Sequence, residues 1–139
     1  MIDKPILIAG GGIGGLATPL ALAQKCIPAL VLENASQLGE IGAGIQLGPN
    51  AFRVFDYLGL TEAINKVAYF PPHMDMKDVR TGEQIVRLPL GDDSRAAYGF
   101  AYGVIYRVDI HQVLLDACKS LPNITLATTD TWKDKNSGD

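Results

Sequence analysis

The sequence predicts an α/β fold that opens with a βαβ unit, two parallel strands joined by a helix, and three observations predict it. Two short, wholly apolar runs, "ILIA" at 6–9 and "ALVL" at 29–32, have the pattern of parallel strands buried on both faces. An Ala/Leu-rich segment between them, residues 13–25, reads as a helix. Five glycines in the six positions from Gly10 to Gly15 join the first strand to that helix.

Glycine costs conformational entropy wherever it is ordered, so a run this dense marks backbone that must come close to something bulky. The spacing is G-x-G-x-x-G at Gly10, Gly12 and Gly15. Gly10 is expected to make the tight turn out of the strand, Gly12 to let phosphates touch the backbone, and Gly15 to let helix and strand approach closely. A dinucleotide pyrophosphate then lies at the helix N-terminus, where free N–H groups and the helix dipole favour anions. The second strand ends on Glu33, 18 residues beyond Gly15, where a carboxylate can accept both ribose hydroxyls and repel a 2′-phosphate. A solvated acid ending a strand is the lesser alternative for Glu33 alone.

Two residues resist the pattern. Pro19 falls inside the helix, where it removes one backbone hydrogen bond and predicts a kink. Cys26 stands where a glycine commonly closes a helix. Cys26 and Cys118, the only cysteines, lie on apolar stretches without C-x-x-C spacing, and are expected to be buried, reduced thiols of a cytoplasmic protein. A net charge of −3 with no Lys/Arg cluster argues against nucleic acid or an anionic membrane as partner. Residues 6–23 carry no charge, but the glycines and Pro19 interrupt them, so neither a membrane span nor a targeting segment is expected.

Beyond Glu33, "GEIGAGIQLGPNAFRVFDYLGL" reads as a second glycine-rich loop, 39–48, leading into a helix. Pro49 suits the first helical turn, Gly59 the C-terminal cap, and Ala51, Val54, Phe55 and Leu58 form its apolar stripe. "YFPPH" is extended, because each proline disfavours helix in the residue before it. A hairpin follows around 74–88, turning at Thr81-Gly82. His73 has no second ligand nearby, so no metal site is expected. "AYGVIY" is a strand leading to a helix capped by Asp109 and Gln112, with Ile110, Val113, Leu114, Ala117, Cys118 and Leu121 at helical spacing and His111 on the surface. Arg107 sits between strand and cap, and spacing alone leaves a solvated and a ligand-contacting arginine equally open. "ITLA" at 124–127 reads as another buried parallel strand, and the tail from 128 as the start of a further strand with no partner in the chain.

The segments "ILIAGGGIGGLATPLALAQK", "VLENA", "GEIGAGIQLGPNAFRVFDYLGL" and "YRVDIHQVLLDAC" together resemble the N-terminal third of single-component flavoprotein aromatic hydroxylases, the salicylate hydroxylase and 3-hydroxybenzoate 6-hydroxylase group. The resemblance covers essentially the whole chain. It implies a Rossmann-like FAD-binding βαβ unit into which the start of a β-rich substrate domain is inserted. It implies FAD as cofactor, NADH or NADPH and O₂ as co-substrates, and a phenolic or benzoate-type substrate. By the same resemblance, Gly10, Gly12, Ile13, Gly14 and Gly15 lie along the pyrophosphate, Glu33 on the adenosine ribose, and Ala43, Gly44 and Gln46 beside the ribityl and flavin ring. Arg107 matches the arginine of the family's R-x-D-[LI]-H motif, which contacts the flavin. No residue here matches a catalytic residue of the family.

The expected organisation is a truncated FAD-binding domain, with nucleotide-binding segments 1–68 and 103–139 and a partial substrate-domain segment 69–102. The family's second flavin motif and most of its substrate pocket lie further along such chains, so these 139 residues are expected to be inactive alone. Two other classes stay open, a nicotinamide-dependent dehydrogenase domain and a non-catalytic binding module. The dehydrogenase shares the first βαβ unit but has no use for "GAGIQLGPN" or "YRVDIH".

Overall fold

The computed structural model describes residues 4–39 and 42–129. Two compact units divide the chain, one from residues 1–42 with 107–139, the other from 43–106.

The first unit is the expected α/β layer. Strand β1 (Ile6–Ala9) leads through the glycine turn to helix α1 (Ile13–Ala23), and β2 (Ala29–Glu33) follows. The later helix α5 (Arg107–Ser120) and strand β7 (Ile124–Thr128) complete the unit. The sheet order is β1-β2-β7 and both pairings are parallel, with Ile6 opposite Ala29 and Ala29 opposite Ile124. Leu16 and Leu20 of α1 are buried in the same unit as Ile110, Leu114, Leu115 and Cys118 of α5 and Val31 of β2. Pro19 lies within α1, and its ring is fully buried.

Three expectations need correction here. β1 is not covered on both faces, since Ile6 is 42% and Leu7 66% exposed. It is one of the two outer strands of the three, and β2 alone pairs with it among the described residues. Cys26 is exposed rather than buried, while Cys118 is buried as expected. Helix α5 begins at Arg107, so Asp109 lies inside its first turn instead of capping it, and the Gln112 amide donates to Asp116 at 2.8 Å. The tail from 130 onward lies outside the described residues.

The second unit is built on two antiparallel pairs. β3 (Gly44–Leu47) pairs with β6 (Gly103–Tyr106), so the segment read as a loop at 39–48 contains a strand. Helix α2 (Pro49–Tyr57) starts on its proline, but its inward residues are Phe52 and Phe55, with Leu58 just beyond. Val54 faces outward, 50% exposed, so the apolar stripe is rotated from the expected one. Phe52 meets Phe55 edge-on at 6.1 Å and Phe70 at 5.5 Å. Helix α3 (Thr61–Val67), unforeseen in the sequence, buries Ile64 completely. The expected hairpin is β4 (His73–Lys77) with β5 (Gln84–Pro89), fastened by a two-pronged Arg87–Asp75 pair at 2.7 and 2.8 Å. A short helix α4 (Asp92–Tyr98), also unforeseen, lies between β5 and β6. No helix among the described residues is long and apolar enough to cross a membrane.

α1 and α2 end in the same way with different residues. Beyond α2, Gly59 adopts φ +73°, its N–H donates to Asp56, and Leu60 N–H reaches back to Phe55. Beyond α1, Cys26 adopts φ +56°, its N–H donates to Ala23, and Ile27 N–H reaches back to Leu22. A side chain in this left-handed conformation is strained by about 1 kcal/mol, which glycine does not suffer. Cys26→Gly is therefore expected to stabilise the chain by about 1 kcal/mol, seen as a higher urea midpoint with an unchanged slope. A midpoint that falls or stays put would show that the cysteine side chain contributes something the geometry does not reveal.

Candidate functional site

The glycine turn is shaped by two close approaches of backbone. Gly10 leaves β1 at φ +98°, and its N–H donates to Leu32 of the neighbouring strand at 2.7 Å. Gly15 lies against that turn, where a Cβ would stand 1.9 Å from the Gly10 carbonyl oxygen. No side chain of any size can occupy that position without moving helix from strand. Gly12 caps the helix in an extended conformation, and Leu16 N–H donates to its carbonyl at 2.9 Å. Ile13 and Gly14 form the first turn of α1, with nothing within 4 Å of the point where a Gly14 Cβ would sit.

Glu33 ends β2 with its carboxylate turned onto this turn. Oε2 accepts from Gly11 N–H at 2.5 Å and Oε1 from Ala35 N–H at 2.8 Å. A carboxylate oxygen can accept more than one such bond, so acceptor capacity remains for hydroxyl groups. The Ala35 N–H first, and the Gly11 N–H second, hold the carboxyl below its ordinary value near 4.5.

His111 is the residue that sequence reasoning placed wrongly. It is 3% exposed, and its Nε2 lies 2.7 Å from the Gly11 carbonyl oxygen. The reason is helical phase, since Leu114, Leu115 and Cys118 follow it at i+3, i+4 and i+7 and are all buried. That spacing was present in the sequence, one residue round from the stripe chosen there. Further along the same helix the Cys118 thiol donates to the Leu16 carbonyl at 3.3 Å, and burial pushes the thiol up to about 11. Helix α5 thus grips two carbonyls, that of Gly11 in the turn and that of Leu16 in α1.

Arg107, exposed at the first position of α5, runs its stem over Gly42, whose Cβ would stand 2.9 Å from that of Arg107. Gly42 is a second position the sequence reading passed over. The other expected site residues belong to the second unit. Ala43 is exposed, Gly44 pairs with Tyr106, and Gln46, exposed on β3, pairs with Val104. No group of three or more His, Cys, Asp or Glu side chains among the described residues is arranged to hold a metal ion.

The first unit, with its parallel strands, glycine turn and terminal acid, has the βαβ architecture of the Rossmann kind. The same fold recurs in solved structures of longer chains. The chain matches 2-methyl-3-hydroxypyridine-5-carboxylic acid oxygenase with a TM-score of 0.78 at 23% identity, over 92% of this chain and 32% of that one. It matches Klebsiella pneumoniae HpxO, determined with FAD and uric acid, with a TM-score of 0.77 at 24% identity, over 90% and 31%. No family model matches the sequence. By sequence, the chain is homologous to 3-hydroxybenzoate 6-hydroxylases. It is 46% identical to that of Polaromonas naphthalenivorans over 127 residues and to that of Klebsiella oxytoca over 123. These matches take in 91% and 88% of the chain, which spans about a third of the relatives' length, 32% and 31%.

The Glu33 hydrogen bonds carry a pH dependence. A carboxyl held below its unfolded value contributes stability that is complete above that unfolded value and lost as pH falls through the folded one. Between about pH 5 and pH 3, the melting temperature of the wild type is expected to fall more steeply than that of Glu33→Gln, which has no proton to gain. Parallel curves would mean that the Gly11 and Ala35 contacts do not favour the ionised carboxylate.

Proposed function

We propose that this chain is the FAD-binding part of a flavoprotein monooxygenase that hydroxylates a phenolic or benzoate-type aromatic, using NADH or NADPH and O₂. One observation carries the reading: Gly15 sits on the Gly10 carbonyl where no side chain fits, nothing lies within 4 Å of a Cβ position at Gly10 or Gly14, and an ionised acid stands beside the turn. Such a cradle suits a pyrophosphate and a ribose diol. The 3-hydroxybenzoate 6-hydroxylase relatives and the FAD-dependent fold neighbours support FAD over a nicotinamide cofactor at this turn. A dehydrogenase reading is not favoured, since the relatives along most of the chain are hydroxylases.

In this reading Gly10, Gly12, Ile13, Gly14 and Gly15 receive the pyrophosphate, and Glu33 accepts the adenosine ribose hydroxyls. Ala43, Gly44 and Gln46 line the ribityl and ring side, and Arg107 contacts the flavin. Bound FAD supplies the redox chemistry, and the protein's part is to hold and orient it. The organisation proposed is a nucleotide-binding portion, 1–68 and 103–139, interrupted by the beginning of a substrate portion at 69–102. With about a third of the relatives' length, the chain itself is expected to bind FAD weakly and to form no hydroxylated product.

The decisive experiment is titration of the chain with FAD, followed by the flavin absorption and fluorescence. Binding of FAD but not NADP is expected. Glu33→Ala is expected to weaken it by about 1.5–3 kcal/mol for each hydroxyl bond lost to the charged acceptor. Equal affinity in that variant would remove Glu33 from the ribose.

Arg107 is tested separately. Arg107→Ala is expected to lower FAD affinity, and Arg107→Lys to recover it only in part, because an ammonium lacks the planar fork of a guanidinium. Unchanged binding by the alanine variant would leave Arg107 as a solvated residue lying over Gly42.

A further inference from the structure

Two neighbouring peptides of the glycine turn are gripped from different elements. The Gly10–Gly11 peptide is held by its N–H, which donates to Glu33 of β2. The Gly11–Gly12 peptide is held by its carbonyl, 2.7 Å from His111 Nε2 of α5. A carbonyl can only accept, so Nε2 carries the proton of this bond. No cis peptide is present among the described residues, and in a trans peptide C=O and N–H point opposite ways. Fixing the Gly11 carbonyl toward α5 therefore aims the N–H of Gly12, the residue that opens helix α1, away from α5. His111 is 3% exposed, and Leu114, Leu115 and Cys118 on the same face are buried with it, so the ring has little freedom to swing away.

We propose that His111 is a positioning residue for the anion site, setting the orientation of the Gly12 N–H toward a bound pyrophosphate. The inference rests on the reading of this turn as a dinucleotide site. It assigns His111 no contact with ligand. Its effect passes through the peptide plane that carries the Gly12 N–H, so it is expected to be felt more by phosphate than by the adenosine end, which Glu33 serves.

The test compares FAD, ADP and adenosine as ligands of the full chain, in wild type, His111→Leu and His111→Gln. Leucine keeps the bulk without a donor, whereas the glutamine amide stands at about the reach of Nε2. His111→Leu is expected to bind FAD and ADP about tenfold more weakly and adenosine as wild type does, with His111→Gln restoring most of the loss. Unchanged ADP binding in His111→Leu overturns the proposal. So does an equal loss for adenosine, which would make the residue merely structural. If His111→Leu does not fold, His111→Gln is compared with His111→Asn, whose amide falls short of the carbonyl. The glutamine variant is then expected to bind ADP more tightly, and equal binding overturns the proposal. A wild-type chain that binds none of the three ligands overturns the cofactor reading itself, and the positioning role with it.

Discussion

Contact between the first turn of α1 and the end of β1, with Gly15 seated on the Gly10 carbonyl, is the constraint on which the rest of the first unit depends. Close-packed interiors transmit even small displacements, so this one contact sets how far the helix stands from the sheet. From that distance follow the burial of Leu16 and Leu20 and the reach of Cys118 to Leu16. The same distance lets α5 bring His111 to the turn while β2 brings Glu33. Elements separated by nearly eighty residues of sequence thus converge on one tripeptide, Gly10 to Gly12.

Such convergence explains why a turn so rich in glycine need not be loose. Each glycine adds conformational freedom to the unfolded chain, and the ordered turn has few side chains of its own to hold it. The holding groups are borrowed from β2 and α5. The exposed side of the unit lies at β1, where Ile6 and Leu7 are exposed on a strand with one partner among the described residues. The β4–β5 hairpin is similarly bare, with Met76 and Ile85 each 60% exposed. Unpaired edges and apolar surfaces of this kind favour association with other chains.

What was legible in the sequence was local. "ILIA", "ALVL" and "ITLA" announce strands by composition, and the spacing of Gly10, Gly12 and Gly15 announces the turn because each position has its own steric reason. Pro49 and Gly59 bound α2 for the same cause. What was not legible depends on distant partners. Gly44–Leu47 is a strand because it pairs with Gly103–Tyr106, a pairing invisible in the glycine-rich segment itself. Val54 and Phe52 exchange places because Phe52 meets Phe70, a residue beyond the helix. His111 is buried because α5 is turned by one residue from the expected stripe, and nothing local distinguishes the two phases. The roles of Ala43, Gly44, Gln46 and Arg107 rested on resemblance rather than on any pattern of their own.

The two thiols differ in a way that is useful at the bench. Cys118 is buried and its thiol is pushed up to about 11, so almost none of it is thiolate at neutral pH. Cys26 is exposed just past the far end of α1 from the glycine turn. At 1.5 Å per residue, the eleven residues of that helix separate the two by roughly 16 Å. The native chain therefore offers a single alkylation point for a maleimide dye or spin label, at the end of α1 remote from the glycine turn.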